Sequence, residues 1–110
     1  MEASSCSKAE PFALQVLGDS MEPEFIDGCV IVVDPNHPAI HGTYVVADYE
    51  GETTFRQFVI RDGRKYLVAL NDNYPDQEIS GTIHFRGVVT QRARSRRLGL
   101  PQAKHYEYGH

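Results

Sequence analysis

The dipeptide Asp62-Gly63 constrains this chain more than any other feature. It sits between Thr53–Arg61 and Arg64–Leu70, two runs rich in β-branched and aromatic residues. Asp-Gly accepts positive φ at both central positions, which a two-residue hairpin turn demands. The runs are therefore predicted to pair antiparallel, with opposed residues whose numbers add up to 125, as those of the turn pair do. That register puts Lys65 opposite Ile60, away from Arg56. Other segments read the same way. Phe12, Leu14 and Val16 alternate with Ala13 and Gln15, a strand with one buried face. Cys29–Val33 is a continuous apolar run suited to a strand covered on both faces. Thr43–Asp48 is a further short strand, turned back at Glu50-Gly51-Glu52, and Thr82–Thr90 is the last, with Gly87 as a bulge site. Asp34-Pro35-Asn36-His37-Pro38 and Asn71–Ser80 read as loops. No segment keeps the 3.6-residue apolar spacing of a long helix. The fold class is mainly β, one compact or barrel-like domain.

Size and composition agree with that reading. A chain of 110 residues, 41% of them apolar, buries roughly 65% of its unfolded surface, enough for a core without metal or disulfide staples. No apolar run approaches the roughly 18 residues a membrane span requires. The polar stretch Met1–Glu10 lacks a secretion signal's basic start and apolar centre. A cytoplasmic protein without membrane attachment is expected. The two cysteines, Cys6 and Cys29, belong to no Cys-x-x-Cys pair, so neither a metal nor any other cofactor is implied. Cys29 reads as a small buried hydrophobe and Cys6 as exposed and inert.

Net charge is −4 but unevenly spread. Residues 1–91 carry six Lys/Arg against fourteen Asp/Glu, whereas 92–110 carry Arg92, Arg94, Arg96, Arg97 and Lys104 against Glu107 alone. Such a tail could attract nucleic acid or an acidic partner, including the acidic body of a second copy. The commoner meaning of an arginine cluster is a solvated face. The chain divides into a polar N-terminal segment (1–11), a central domain (12–91) and a basic C-terminal tail (92–110).

The chemistry concentrates in Gly18-Asp19-Ser20-Met21-Glu22-Pro23, followed by Ile26-Asp27-Gly28. A serine at a breaker-rich turn after a buried strand is held firmly yet exposed. Backbone N–H groups around it, that of Met21 among them, can converge on a developing oxyanion. Gly18 permits close backbone approach and Pro23 fixes the exit. Asp19 and Asp27 suit hydrogen bonds to turn amides better than proton abstraction. Taken alone, a Gly-Asp-Ser turn is more often a turn than a nucleophile.

The stretch from Phe12 to Asp34 resembles the catalytic core of LexA- and UmuD-type serine peptidases, relatives of type I signal peptidases. Their strand runs into Gly-Asp-Ser-Met-x-Pro, then an apolar residue, Asp-Gly and another strand. Gly51-Glu52-Thr53-Thr54, Leu70-Asn71-Asp72-Asn73-Tyr74 and Phe85-Arg86-Gly87-Val88-Val89 resemble later family segments in the right order, so the likeness spans about 12–91. It implies a compact β fold, a homodimer, Ser20 as nucleophile and a neutral lysine as its base. The lysine position, in a pattern like Thr-Val-Lys-Arg, is occupied here by Arg56 of Thr54-Phe55-Arg56-Gln57.

That departure decides the expected function. An arginine side chain ordinarily stays protonated far above neutral pH, so a neutral guanidine at pH 7 costs on the order of 8–9 kcal/mol. A typical domain's whole stability is only ~5–15 kcal/mol. Replacement bases are poorly placed: Lys65 belongs to the hairpin, Lys8 and Lys104 to the terminal segments, and no spacing ties His41 or His84 to Ser20. His37 reads as loop filler. Residues 1–17 hold no Ala-Gly or Cys-Gly bond for self-cleavage, and no upstream helix-turn-helix domain is expected. The expectation is a stand-alone, inactive or impaired peptidase-type domain that binds a peptide or protein partner in its cleft as a dimer. An active serine peptidase using another base is the alternative, and tail-mediated binding of nucleic acid a weaker one.

Overall fold

A computed structural model describes residues 9–108; Cys6 and Lys8 lie outside them. Eight strands form one antiparallel sheet: β1 (Phe12–Gln15), β2 (Val30–Asp34), β3 (Tyr44–Tyr49), β4 (Glu52–Arg61), β5 (Arg64–Val68), β6 (Gln77–Glu78), β7 (His84–Arg92) and β8 (Lys104–His105). The spatial order is β1-β2-β7-β3-β4-β5-β6, with β8 paired to β7. The described residues contain no helix, and so none long and apolar enough to cross a membrane.

Local sequence accounts for most of the order. Asp62 and Gly63 take φ of 54° and 77°, and Ile60 faces Lys65 as the turn dictates. Glu50 and Gly51, at 52° and 82°, reverse the chain in the same way between β3 and β4. Gly87 sits beside a bulge, because Val46 pairs with Gly87 and Ala47 with Phe85, leaving Arg86 unopposed. A Cβ at Gly87 would lie 2.6 Å from Val33 Cγ1 and 2.8 Å from the Asp34 carbonyl oxygen. Only glycine lets β2 approach β7 so closely.

Side chains alternate across the strands, so Val45 and Val88 serve one core while their neighbours Val46 and Val89 serve another. The larger cluster gathers Val16, Met21, Phe25, Cys29, Ile31 and Val33. Phe25 is fully buried and meets Tyr44 and Phe55 edge-on at 4.9 and 5.0 Å between ring centres. Each such pair adds ~0.5–1.5 kcal/mol beyond area burial. Met21 and Phe25 belong to the serine turn itself, so the core anchors that turn from beneath.

Four expectations need correction. Cys29–Val33 is not covered on both faces: Cys29, Ile31 and Val33 are buried while Val30 is exposed and Val32 only partly buried, because the core packs on one face of β2. In β1, Leu14 is exposed and opens onto a cleft. The 71–80 loop contains the short strand β6, paired to β5. The basic tail is not wholly a solvated extension, since its residues as far as Tyr108 fold back onto their own chain. Leu98, Leu100 and Tyr106 pack on the larger cluster, β8 pairs with Gln91 and Arg92, and the Tyr108 hydroxyl donates to the Val89 carbonyl. Arg94, Arg96 and Arg97 remain exposed.

Candidate active site

The serine turn joins β1 to β2 and is braced from three sides. Gly18, at φ +91°, donates its N–H to Asp27 Oδ1 at 2.7 Å, and Gly28 N–H closes onto the Val16 carbonyl at 2.7 Å. Inside the turn, Glu22 N–H reaches the Asp19 carbonyl and Phe25 N–H the Met21 carbonyl. The Glu22–Pro23 bond is cis. From the loop after β5, Asn71 N–H donates to the Ser20 carbonyl at 3.0 Å and Asn71 Nδ2 to the Asp19 carbonyl at 3.1 Å. Tyr74 donates its hydroxyl to Asp19 Oδ1 at 2.6 Å. Asp19 therefore holds a phenol, where an amide partner is expected from the sequence. The N–H groups of Ser20 and Met21 donate to no acceptor among the described residues.

Ser20 opens into a cleft of about 520 Å³ lined by Leu14 to Ser20, Ile31, Val46, Glu52 to Arg56 and Tyr74. One wall is β1, an outer strand of the sheet. The other is the first half of β4, which pairs with β3 only, since β5 begins its pairing at Gln57. Both walls thus offer unpaired backbone to an extended chain.

Arg56 reaches across this cleft. Its Nη1 donates to Ser20 Oγ at 2.9 Å and to the Phe55 carbonyl at 2.8 Å. The guanidinium carbon lies 5.8 Å from the centre of the Tyr74 ring. Burial pushes the Arg56 pKa below its ordinary value, opposed by Tyr74 and Glu52. No carboxylate lies within salt-bridge distance of Arg56 among the described residues. The Tyr74 hydroxyl, bonded to Asp19, is pushed up by that bond and charge.

No lysine or histidine lines the cleft among the described residues. Lys65 faces Ile60, Lys104 donates to Glu24 at 2.7 Å, and His41 Nδ1 accepts the Ile60 N–H. His84 pairs opposite Asp48, and His37 Nδ1 bonds the Pro38 carbonyl. The structure brings Ser20, Met21, Arg56, Gly18, Asp19, Asp27 and Gly28 into one neighbourhood. Sequence reasoning missed the bracing roles of Asn71 and Tyr74. The usable signal was the hairpin register, which returns the chain after β5 toward the serine turn.

A family model described as Peptidase S24-like matches residues 2–90. The chain belongs to that family. Among its relatives, the HTH-type transcriptional regulator for conjugative element SXT from Vibrio cholerae is 47% identical over 87 residues, covering 73% of this chain and 40% of that protein. The prophage repressor CohE of Escherichia coli is 40% identical over 93 residues, 81% of this chain and 42% of CohE. A LexA repressor from Verrucomicrobium spinosum is 32% identical over 83 residues, 74% and 41% of the two chains. The chain spans about two fifths of the length of these relatives.

Proposed function

We propose that this Peptidase S24-like chain is a non-catalytic or severely impaired peptidase domain that holds a peptide or protein partner in its serine cleft, as a cytoplasmic homodimer. In this reading residues 12–91 are the peptidase-type unit, Ser20 occupies the nucleophile position and Met21 N–H belongs to the oxyanion site. One observation carries the argument: Arg56 donates a hydrogen bond to Ser20 Oγ. A general base must accept the proton that Oγ releases. A guanidinium has no free lone pair for it, and the lowering by burial acts on a group that ordinarily stays protonated far above neutral pH. The positive charge favours a serine alkoxide electrostatically, but among the described residues no lysine or imidazole lines the cleft to take the proton. The apolar lining and unpaired strand edges support retention of a peptide. The homodimer rests on the family resemblance.

A fluorophosphonate probe read by intact mass tests the catalytic half of this reading. The unmodified protein is expected to stay unlabelled at neutral pH, whereas Arg56→Lys should gain labelling at Ser20 and weak cleavage of an Ala-Gly peptide. Rapid labelling of Ser20 in the unmodified protein would overturn the reading in favour of an active serine peptidase. Sedimentation of the same sample reports the dimer, and a monomer at tens of micromolar would remove that part of it.

A further inference from the structure

We propose that the Ser20–Arg56 cleft is a receptor for the free α-carboxylate end of an apolar peptide. This rests on the reading of the cleft as one that holds peptides without cutting them, and it names the chemical class of the ligand.

The starting point is an imbalance of charge. A half-buried guanidinium normally finds a carboxylate, yet Arg56 has none within salt-bridge distance among the described residues. The nearby acids do not serve. Asp19 Oδ1 accepts the Tyr74 hydroxyl, and Glu52 stands exposed at the rim. Of the five donors on the guanidinium, only those on Nη1 are engaged, by Ser20 Oγ and the Phe55 carbonyl. Nε and Nη2 donate to nothing among the described residues, and together they form the flat edge that grips a carboxylate with two parallel hydrogen bonds.

A second set of donors belongs to the serine turn itself. The Ser20 and Met21 N–H groups have no acceptor among the described residues. In a working serine hydrolase, backbone donors at this place face an oxyanion during reaction. Here, next to a fixed positive charge, they suit an anion that is already formed. A peptide's terminal carboxylate matches both features at once, because its charge faces Arg56 and its flat two-oxygen shape suits the fork. An internal peptide bond or a carboxamide offers only a neutral carbonyl.

The walls specify what precedes that carboxylate. Leu14, Leu17, Ile31, Val46 and Phe55 line the cleft, and Leu17 is 81% exposed, the most exposed large apolar residue described. Apolar surface of this kind beside a charged group marks a ligand groove. The unpaired edges of β1 and of the first half of β4 provide backbone partners for the last residues of an extended ligand.

The experiment compares two forms of one probe: fluorescein-labelled Val-Leu-Val-Ala as free acid and as carboxamide, followed by fluorescence anisotropy at pH 7. The free acid is expected to bind the unmodified protein at least ~10-fold more tightly, the scale of one charge-assisted hydrogen-bonded pair. Arg56→Met should abolish the preference by bringing the free acid down to the level of the carboxamide, and Arg56→Lys, which keeps the charge but loses the fork, should retain only part of it. Equal binding of acid and carboxamide by the unmodified protein would overturn the carboxylate site while leaving the peptide-holding reading in place. Absence of binding by either form would remove both. Ser20-dependent cleavage, seen by mass spectrometry in the same samples, would overturn the non-catalytic reading on which the inference stands. The acid–amide comparison needs no variant, so a misfolded mutant does not decide the matter.

Discussion

Two charged groups flank the serine turn, and they are satisfied very differently. Glu24 is surrounded: Lys104 Nζ and the Tyr106 hydroxyl each donate to its Oε2 at 2.7 Å, and Arg92 Nη1 lies 3.7 Å from the same oxygen while donating to the Glu24 backbone carbonyl at 2.7 Å. Arg56, on the cleft side, has a hydroxyl and a carbonyl but no paired anion among the described residues. The contrast is visible in their titration. Burial alone would raise Glu24, yet hydrogen bonds and charge from Lys104, Tyr106 and Arg92 hold its carboxyl below the usual range. For Arg56 burial is the dominant influence and lowers its pKa. A closed cluster of this kind is structural: it ties the C-terminal segment to the turn that carries Ser20. A half-buried charge with no paired carboxylate among the described residues adds nothing comparable to the fold.

The largest effect that separates the two comes from Glu24→Ala. The change strands Arg92, whose side chain is only 15% exposed and whose Nε already lacks a partner, and it releases Lys104 and Tyr106. Stability should fall by about 1–3 kcal/mol, the cost of leaving a buried charged group unsatisfied, with a drop in Tm on the order of 5–15 °C. A loss below about 0.5 kcal/mol in thermal or denaturant unfolding would mean that the Glu24 cluster is not a structural clamp.

Arg56→Met should move stability the other way, by a smaller amount. Methionine fills much of the same space without a charge to desolvate, and exchanging a buried ion for a well-packed apolar side chain is often neutral or stabilising. The expected gain in the free protein is about 0–1 kcal/mol in denaturant unfolding. A loss of more than about 2 kcal/mol would show that the guanidinium holds the cleft together, making Arg56 a second structural clamp and erasing the contrast with Glu24.

The same two regions show how far a reader of the sequence gets. The β4–β5 hairpin is legible residue by residue, because Asp62-Gly63 sets both the turn and the register, and Ile60 faces Lys65 accordingly. The serine turn is legible as a motif, and Arg56 opposite Ser20 follows from the family pattern. The Glu24 cluster is not legible. It joins residues eighty apart in the chain, and no periodicity or spacing announces that Lys104 and Tyr106 return to the serine turn. What brings them back is tertiary packing: Tyr106 lies 5.3 Å from Phe25 and 5.6 Å from Tyr44, ring centre to ring centre. Charge counting identified a basic tail, but Lys104 and Arg92 are occupied locally, leaving Arg94, Arg96 and Arg97 exposed. Likewise, the continuous apolar run Cys29–Val33 concealed an exposed face, because which face of β2 meets the core is a property of the tertiary packing and not of the run.

The smallest effect comes from pH and compares the unmodified protein with Glu24→Gln. A carboxyl depressed in the folded state contributes stability above its unfolded pKa, 4.5 here, and that contribution disappears as pH falls through the folded value. At pH 7 the unmodified protein should exceed Glu24→Gln by about 0.5 kcal/mol, the scale of a partly exposed ion pair. As pH falls below about 4.5 and through the lower folded-state value, the difference should shrink toward zero, since protonated Glu24 and glutamine are both neutral. Asp48, also held low through its hydrogen bonds with Arg86 and Thr53, titrates alike in both proteins and cancels from the difference. Arg56 stays protonated throughout this window and so adds no pH dependence, which makes the acid limb a report on the closed cluster alone. A difference that held constant from pH 7 to 3 would show that the carboxylate charge of Glu24 is not what fastens the C-terminal segment, leaving that task to the β8 pairing and to the packing of Leu98, Leu100 and Tyr106.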